Sequence, residues 1–108
     1  MDESQMLKGI LEGCILSIIA KGETYGYDIL NVLESSGLDD IGEGTLYPIL
    51  TRLEKKSYIV CRIGKSPFGP KRKYFSITEL GLEQLTSWKI HYKKLISSAE
   101  EIIWRDEV

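Results

Sequence analysis

Between Gly42 and Ile59 the aliphatic positions are Leu46, Ile49, Leu50 and Leu53, the i, i+3, i+4, i+7 spacing of a helix with one face turned to a core. The spacing predicts a helix from about Glu43 to Lys56. Its opposite face holds Gly44, Pro48, Thr51 and Lys55, with Tyr47 and Arg52 at the flanks. A face selected only for solubility would carry long charged residues. Small, hydroxyl-bearing and cationic groups instead let the backbone come close to another surface and hydrogen-bond to it. Beyond this helix the pattern changes to two extended runs, Ile59 to Ile63 and Lys73 to Ile77. The segment between them, Gly64 to Arg72, holds two prolines and two glycines and predicts a hairpin tip. A helix followed by a hairpin is the second half of a winged helix, in which a helix so placed enters a DNA major groove.

Upstream, Met6, Leu7, Ile10, Leu11, Cys14, Ile15, Ile18 and Ile19 form a wide apolar stripe over a helix from Gln5 to Ala20, ended by Lys21-Gly22. A stripe this wide faces neighbours on two sides, one of them a second copy of the chain. Thr24 is the expected N-cap of a second helix that ends at Gly37 and buries Tyr25, Ile29, Val32 and Leu33. Gly26 inside that helix costs about 1 kcal/mol relative to alanine, which a close helix crossing would explain. Leu38 to Ile41 is then the turn of a helix-turn-helix. Pro48 predicts a bend in the third helix, or else a helix that starts only at Tyr47. Thr78 caps a last helix that runs to about Trp104, with Glu79 at its positive end. Along it Leu85, Trp88, Tyr92, Leu95, Ala99 and Ile102 alternate steps of three and four, the seam of a coiled coil. The expected cover for this seam is the same helix of another protomer, together with Ile15 and Ile18 of the first helix. Packing along the same chain is the alternative.

A chain of 108 residues, 43% hydrophobic and 28% charged, is one soluble globular domain able to bury a modest core. No apolar run reaches membrane-span length and the acidic start is unlike a secretory signal, so the cytoplasm is the expected location. The net charge of −2 is unevenly spread. The stretch from Gly42 to Phe75 carries +6 and the remainder −8, so a basic helix and hairpin sit on an acidic body. Within that stretch Lys55, Lys65, Lys71, Arg72 and Lys73 are the cations of the helix face and the wing. The return strand KRKYF sets cations beside aromatics, which suits phosphates or a minor groove.

Enzyme chemistry has little to stand on. His91 is the one histidine, lies among lysines and has no neighbouring acid, serine or cysteine to complete a catalytic set. Cys14 and Cys61 are isolated, which gives neither a zinc site nor a redox motif, and no phosphate-binding glycine loop occurs. No catalytic residue, metal or cofactor is expected.

Three segments, LKGILEGCIL, GTLYPILTRLEKKSYI and GPKRKYFSITELG, resemble the PadR family of bacterial transcriptional regulators over about Leu7 to Leu82. The resemblance implies a winged-helix homodimer, joined by its first and last helices, that represses a nearby operon until an effector, often a phenolic acid or an apolar cation, weakens DNA binding. It maps DNA contacts onto Thr45, Tyr47, Pro48, Thr51 and Arg52 in the helix and onto Lys71, Arg72 and Lys73 in the wing. Two positions depart from the family pattern: Gly42 stands where serine is frequent, and Ser57 where a glycine usually ends the helix. The chain is similar to short-tailed members, some of which hold planar drugs with a tryptophan on the last helix. The corresponding position here is Tyr92, with Trp88 one turn earlier. These two are candidates for a ligand site, with plain dimer packing as the other reading.

The expected architecture is mainly α with a small β-hairpin: a winged helix-turn-helix over residues 1–80 and a dimerisation helix over 81–108. The expected partners are a double-stranded DNA operator, a second copy and a small aromatic effector, with no membrane. The alternative is a winged-helix protein-interaction module without a DNA role. Such a wing would show apolar residues in place of Lys71-Arg72-Lys73, and Phe68 is its one candidate.

Overall fold

The stripes read from the sequence converge on a single core. Leu11, Ile15, Leu16 and Ile19 of one helix meet Ile29 and Leu33 of the next and Leu46, Ile49, Leu50 and Leu53 of the third. Ile59, Phe75 and Leu85 close it from the sheet and the last helix. In this computed structural model, which describes residues 3–67 and 69–106, the elements are α1 (Glu3–Lys8), α2 (Leu11–Ala20), β1 (Thr24–Tyr25), α3 (Gly26–Ser35), α4 (Glu43–Lys55), β2 (Ile59–Ser66), β3 (Gly69–Ile77) and α5 (Glu79–Trp104). Phe68 lies outside the described residues.

Several expectations are corrected. The first helix is broken in two: the Gly9 N–H donates to the Met6 carbonyl and the Ile10 N–H to that of Leu7, closing a turn at Gly9, among the poorest helix formers. Thr24 does not cap α3. Its backbone is drawn into a third strand, where Thr24 pairs with Phe75 and Tyr25 with Tyr74, in a sheet ordered β1-β3-β2. The buried Thr24 hydroxyl donates instead to the Asp28 carboxylate at 2.9 Å, and the N-cap position falls to Tyr25 without a side-chain cap. Tyr25 is only half-buried and Val32 is exposed, so the inner face of α3 is narrower than its periodicity suggests. The wing strands reach residues 66 and 69, with a register shift after Lys65, so most of the expected loop is paired. Pro70 is compatible with this because β3 there has a neighbour on one side only. Pro48 leaves α4 unbroken from Glu43.

Thr78 does cap α5. Its hydroxyl accepts the Gly81 N–H at 3.0 Å, and its own N–H donates to the Tyr58 carbonyl at 3.0 Å. Of the 26 residues of α5, only Gly81 and Leu85 are buried, so the outer half of this helix carries a bare apolar face that includes Leu95, Ile96, Ile102 and Ile103. Ile15 and Leu85 are 0% and 4% exposed and fill the chain's own core, so neither has the surface that the expected dimer contact needs. Among the described residues no helix is long and apolar enough to cross a membrane.

Candidate nucleic-acid interface

The core face of α4 fixes what its other side can present. With Leu46, Ile49, Leu50 and Leu53 turned inward, Thr45, Tyr47, Pro48, Thr51, Arg52 and Lys55 are all exposed. Because α4 is helical from Glu43, Pro48 belongs to its second turn, and the proline ring lies on the outward face with Gly44 and Thr51. Arg52 stands at the flank nearest α2, where one guanidinium nitrogen lies 3.4 Å from the Glu12 carboxylate. Both groups are partly solvated, so this is a weak tie that another partner can replace. Tyr47 crosses the start of α3: a Cβ built on Gly26 would sit 2.4 Å from the Tyr47 hydroxyl. This is the close crossing that the glycine demanded, made by a side chain rather than by a second backbone.

In the wing, Lys65 and Lys71 are directly opposite one another across β2 and β3, and Lys73 follows on the same strand face as Lys71. Like charges facing across a ladder are destabilising. A sheet under selection for stability alone would not place them so, and local rules are broken most often at functional positions.

The face of the sheet turned away from Phe75 carries a ladder that sequence reading missed. Arg62 makes two 2.7 Å hydrogen bonds to the Glu23 carboxylate and lies 4.5 Å over the Tyr74 ring. Tyr74 meets Tyr25 edge to face at 5.9 Å, and Arg72 lies 4.0 Å over Tyr25. The Arg62 hydrogen bonds hold the Glu23 carboxyl below the usual glutamate range, and the same bonds raise Arg62. The charge of Arg62 is thus balanced by Glu23, while Arg72 is held over rings and, among the described residues, has no carboxylate in ion-pair range. Glu23 and Arg62 are 39 residues apart in the chain, so only the sheet register could have paired them.

A second feature lies on the far side of α2. Trp88 and Tyr92 stack at 5.0 Å with their planes 15° apart, and they border an apolar groove of about 350 Å³ with Ile10, Cys14, Ile18 and Val32. Trp88 fits there because residue 13 is glycine; a Cβ at Gly13 would lie 2.3 Å from the indole. Burial pushes the Cys14 thiol up, and Cys61 is raised chiefly by the same cause, so neither is an activated nucleophile. His91 is exposed on α5.

A family model described as the transcriptional regulator PadR-like family matches residues 15–87. A crystal structure of a PadR-like transcriptional regulator from Bacillus cereus is 42% identical, covers 92% of this chain and 96% of that one, and has a TM-score of 0.82. The negative transcriptional regulator PadR of Bacillus subtilis is 24% identical over 98 residues, 85% of this chain but only 52% of that protein. The crystal structure of Bacillus subtilis PadR in complex with operator DNA is 26% identical, with a TM-score of 0.67, over 75% of this chain and 47% of that one. This chain therefore spans about half the length of that relative. With a family model matching residues 15–87 and a 42% identical relative of which 96% is covered, the chain belongs to the PadR-like family of transcriptional regulators.

Proposed function

We propose that the chain is a sequence-specific regulator that binds a double-stranded DNA operator as a homodimer in the cytoplasm, and that it acts as a repressor released by a small aromatic or apolar effector. The observation that carries the reading is the wing tip: Lys65 faces Lys71 beside Arg72 and Lys73, next to an α4 face of small and hydroxyl-bearing residues. A polyanion relieves this repulsion, whereas an apolar protein partner does not. The operator complex and the negative regulation named for the Bacillus subtilis relative support the DNA and repressor roles.

In this reading Thr45, Pro48, Thr51 and Arg52 meet base edges, and Lys55, Lys65, Lys71 and Lys73 meet phosphates. The bare face of α5 with Ile18, Trp88, Tyr92, Leu95, Ala99 and Ile102 joins two copies. The Trp88–Tyr92 groove takes the effector, which must bind the two dimer forms unequally in order to shift anything. Residues 1–80 would then read DNA and 81–108 set the spacing of the two reading heads.

The test is selection of duplexes from a randomised pool. The chain should enrich one sequence. Lys71→Ala should weaken selected and random duplexes alike and flatten the salt dependence by about one unit. Arg52→Ala should narrow the gap between them, each lost base contact being worth about 1–3 kcal/mol. Enrichment of no sequence would end the DNA reading. Planar aromatic compounds should quench Trp88 and release the selected duplex, and a Trp88→Phe chain separates that signal from Trp104.

A further inference from the structure

We infer that the cleft between the start of α3, the start of α4 and the wing is a seat for one backbone phosphate of duplex DNA, held by Arg72 and by the hydroxyls of Tyr27 and Tyr47. The inference rests on the DNA reading above and assigns three residues a role within it. The cleft is open, about 360 Å³, and is lined by Tyr27, Glu43, Tyr47, Arg72 and Lys73 around Gly26.

Arg72 is the cation the fold has prepared for it. Its guanidinium lies over Tyr25 at 4.0 Å and 6.0 Å from the Tyr74 centroid, and among the described residues no carboxylate pairs with it. A guanidinium lying over a ring without a carboxylate partner still has N–H donors to offer, the fork that phosphate oxygens accept. The neighbouring Arg62, on the same sheet face, spends that fork on Glu23. The ladder therefore sorts two similar arginines, one structural and one available.

Tyr47 is held in the cleft by contact with Gly26, so its hydroxyl stays at the start of α3 instead of extending along the base edges. Tyr27 is 68% exposed at the second position of α3 and is not among the core residues. The charge also selects the ligand. Arg72 and Lys73 against Glu43 leave one net positive charge among the lining residues, which matches a singly charged phosphodiester and not a dianionic free phosphate.

The experiment uses the full chain and the duplex it selects, made with a neutral methylphosphonate at one backbone position at a time. Tyr27→Phe should weaken the unmodified duplex roughly tenfold, as loss of a hydrogen bond to a charged group does. On the duplex neutralised at the seated phosphate, Tyr27→Phe and Arg72→Gln should each cost nothing further, while Arg62→Gln leaves the position of that phosphate unchanged. Glu43→Gln should tighten binding to every duplex. Equal loss for Tyr27→Phe at all methylphosphonate positions, or no loss on the unmodified duplex, overturns the seat while leaving DNA binding intact. Displacement of DNA by inorganic phosphate well beyond chloride at matched ionic strength would make it a free-anion site and overturn the backbone assignment. A wild-type chain that selects no duplex removes the DNA reading itself.

Discussion

Replacing Gly81 by alanine sets two physical effects against each other, and their magnitudes decide the sign. Gly81 lies in the first turn of α5, where alanine is the better helix former by about 1 kcal/mol. Propensity alone therefore predicts stabilisation. The structure predicts the opposite, because a Cβ at this position would sit 2.1 Å from the Tyr58 carbonyl oxygen and 2.7 Å from Ile77. Carbon and oxygen need roughly 3.3 Å, so α5 and the chain entering β2 at Tyr58 would have to part by about 1 Å. The Tyr58 oxygen is also the acceptor for the Thr78 N–H at 3.0 Å, and Thr78 caps Gly81 at 3.0 Å. A 1 Å separation carries the first of these beyond hydrogen-bonding range and distorts the second.

Two weakened bonds at about 1 kcal/mol each, plus about 1–3 kcal/mol of overpacking, less the propensity gain, leave a loss of about 2–4 kcal/mol. For a domain of this size that lowers the melting midpoint by roughly 10–20 °C. The assay is thermal unfolding followed by circular dichroism at fixed protomer concentration, because self-association shifts the midpoint. Gly44→Ala is the matched control: α4 also gains propensity there, and a Cβ meets nothing within 4 Å. If Gly81→Ala melted at or above the wild-type temperature, as Gly44→Ala should, the junction would be softer than this reasoning allows.

Ser57 adopts φ 64° just past α4, a left-handed conformation that costs a side-chain-bearing residue about 1 kcal/mol, so Ser57→Gly should raise stability by about that amount in urea titrations. The Glu23–Arg62 pair lowers the Glu23 carboxyl value, so its stabilisation is fully present above about pH 4.5, the ordinary glutamate value, and is lost as the pH falls through the lowered one. The difference in midpoint between wild type and Arg62→Gln should therefore shrink on acidification; a difference that grew would contradict the sign. Leu95→Glu places a charge on the bare face of α5 and should move sedimentation from twice the chain mass to the chain mass without lowering helix content.

Periodicity was a good guide wherever one helix face met one core. The four buried positions of α4, the Thr78 cap and the end of α3 at Gly37 are all where the spacing and the cap residues put them. It failed where a partner distant in the chain decided the local structure. Thr24 has the chemistry of a cap, but β3 offers its backbone a ladder, and two strand pairings outweigh one side-chain hydrogen bond. The paired extent of the wing was hidden because Gly64, Pro67, Gly69 and Pro70 signal a loop, and only the register reveals strands through most of them. The broad stripe of the first helix concealed that Ile15 is spent entirely on the protomer, since periodicity identifies an apolar face without saying which neighbour covers it. At the candidate interface the exposed residues of α4 and the wing could be read directly. The ladder through Glu23, Arg62, Tyr74, Tyr25 and Arg72 joins three strands and could not be.

If the opposed lysines of the wing tip meet phosphates as proposed, the protein has two responses to ionic strength that run in opposite directions. In the free chain, added salt screens Lys65 from Lys71 and firms the hairpin. On a polyanion held by those ammonium groups, as proposed above, the same salt would compete with the phosphates and loosen the complex. Dilute conditions would then favour the complex while leaving the free tip least stable, and concentrated ones would favour the free hairpin over the complex. The free tip would resist closing on itself most strongly in the conditions where an external anion would be most strongly held.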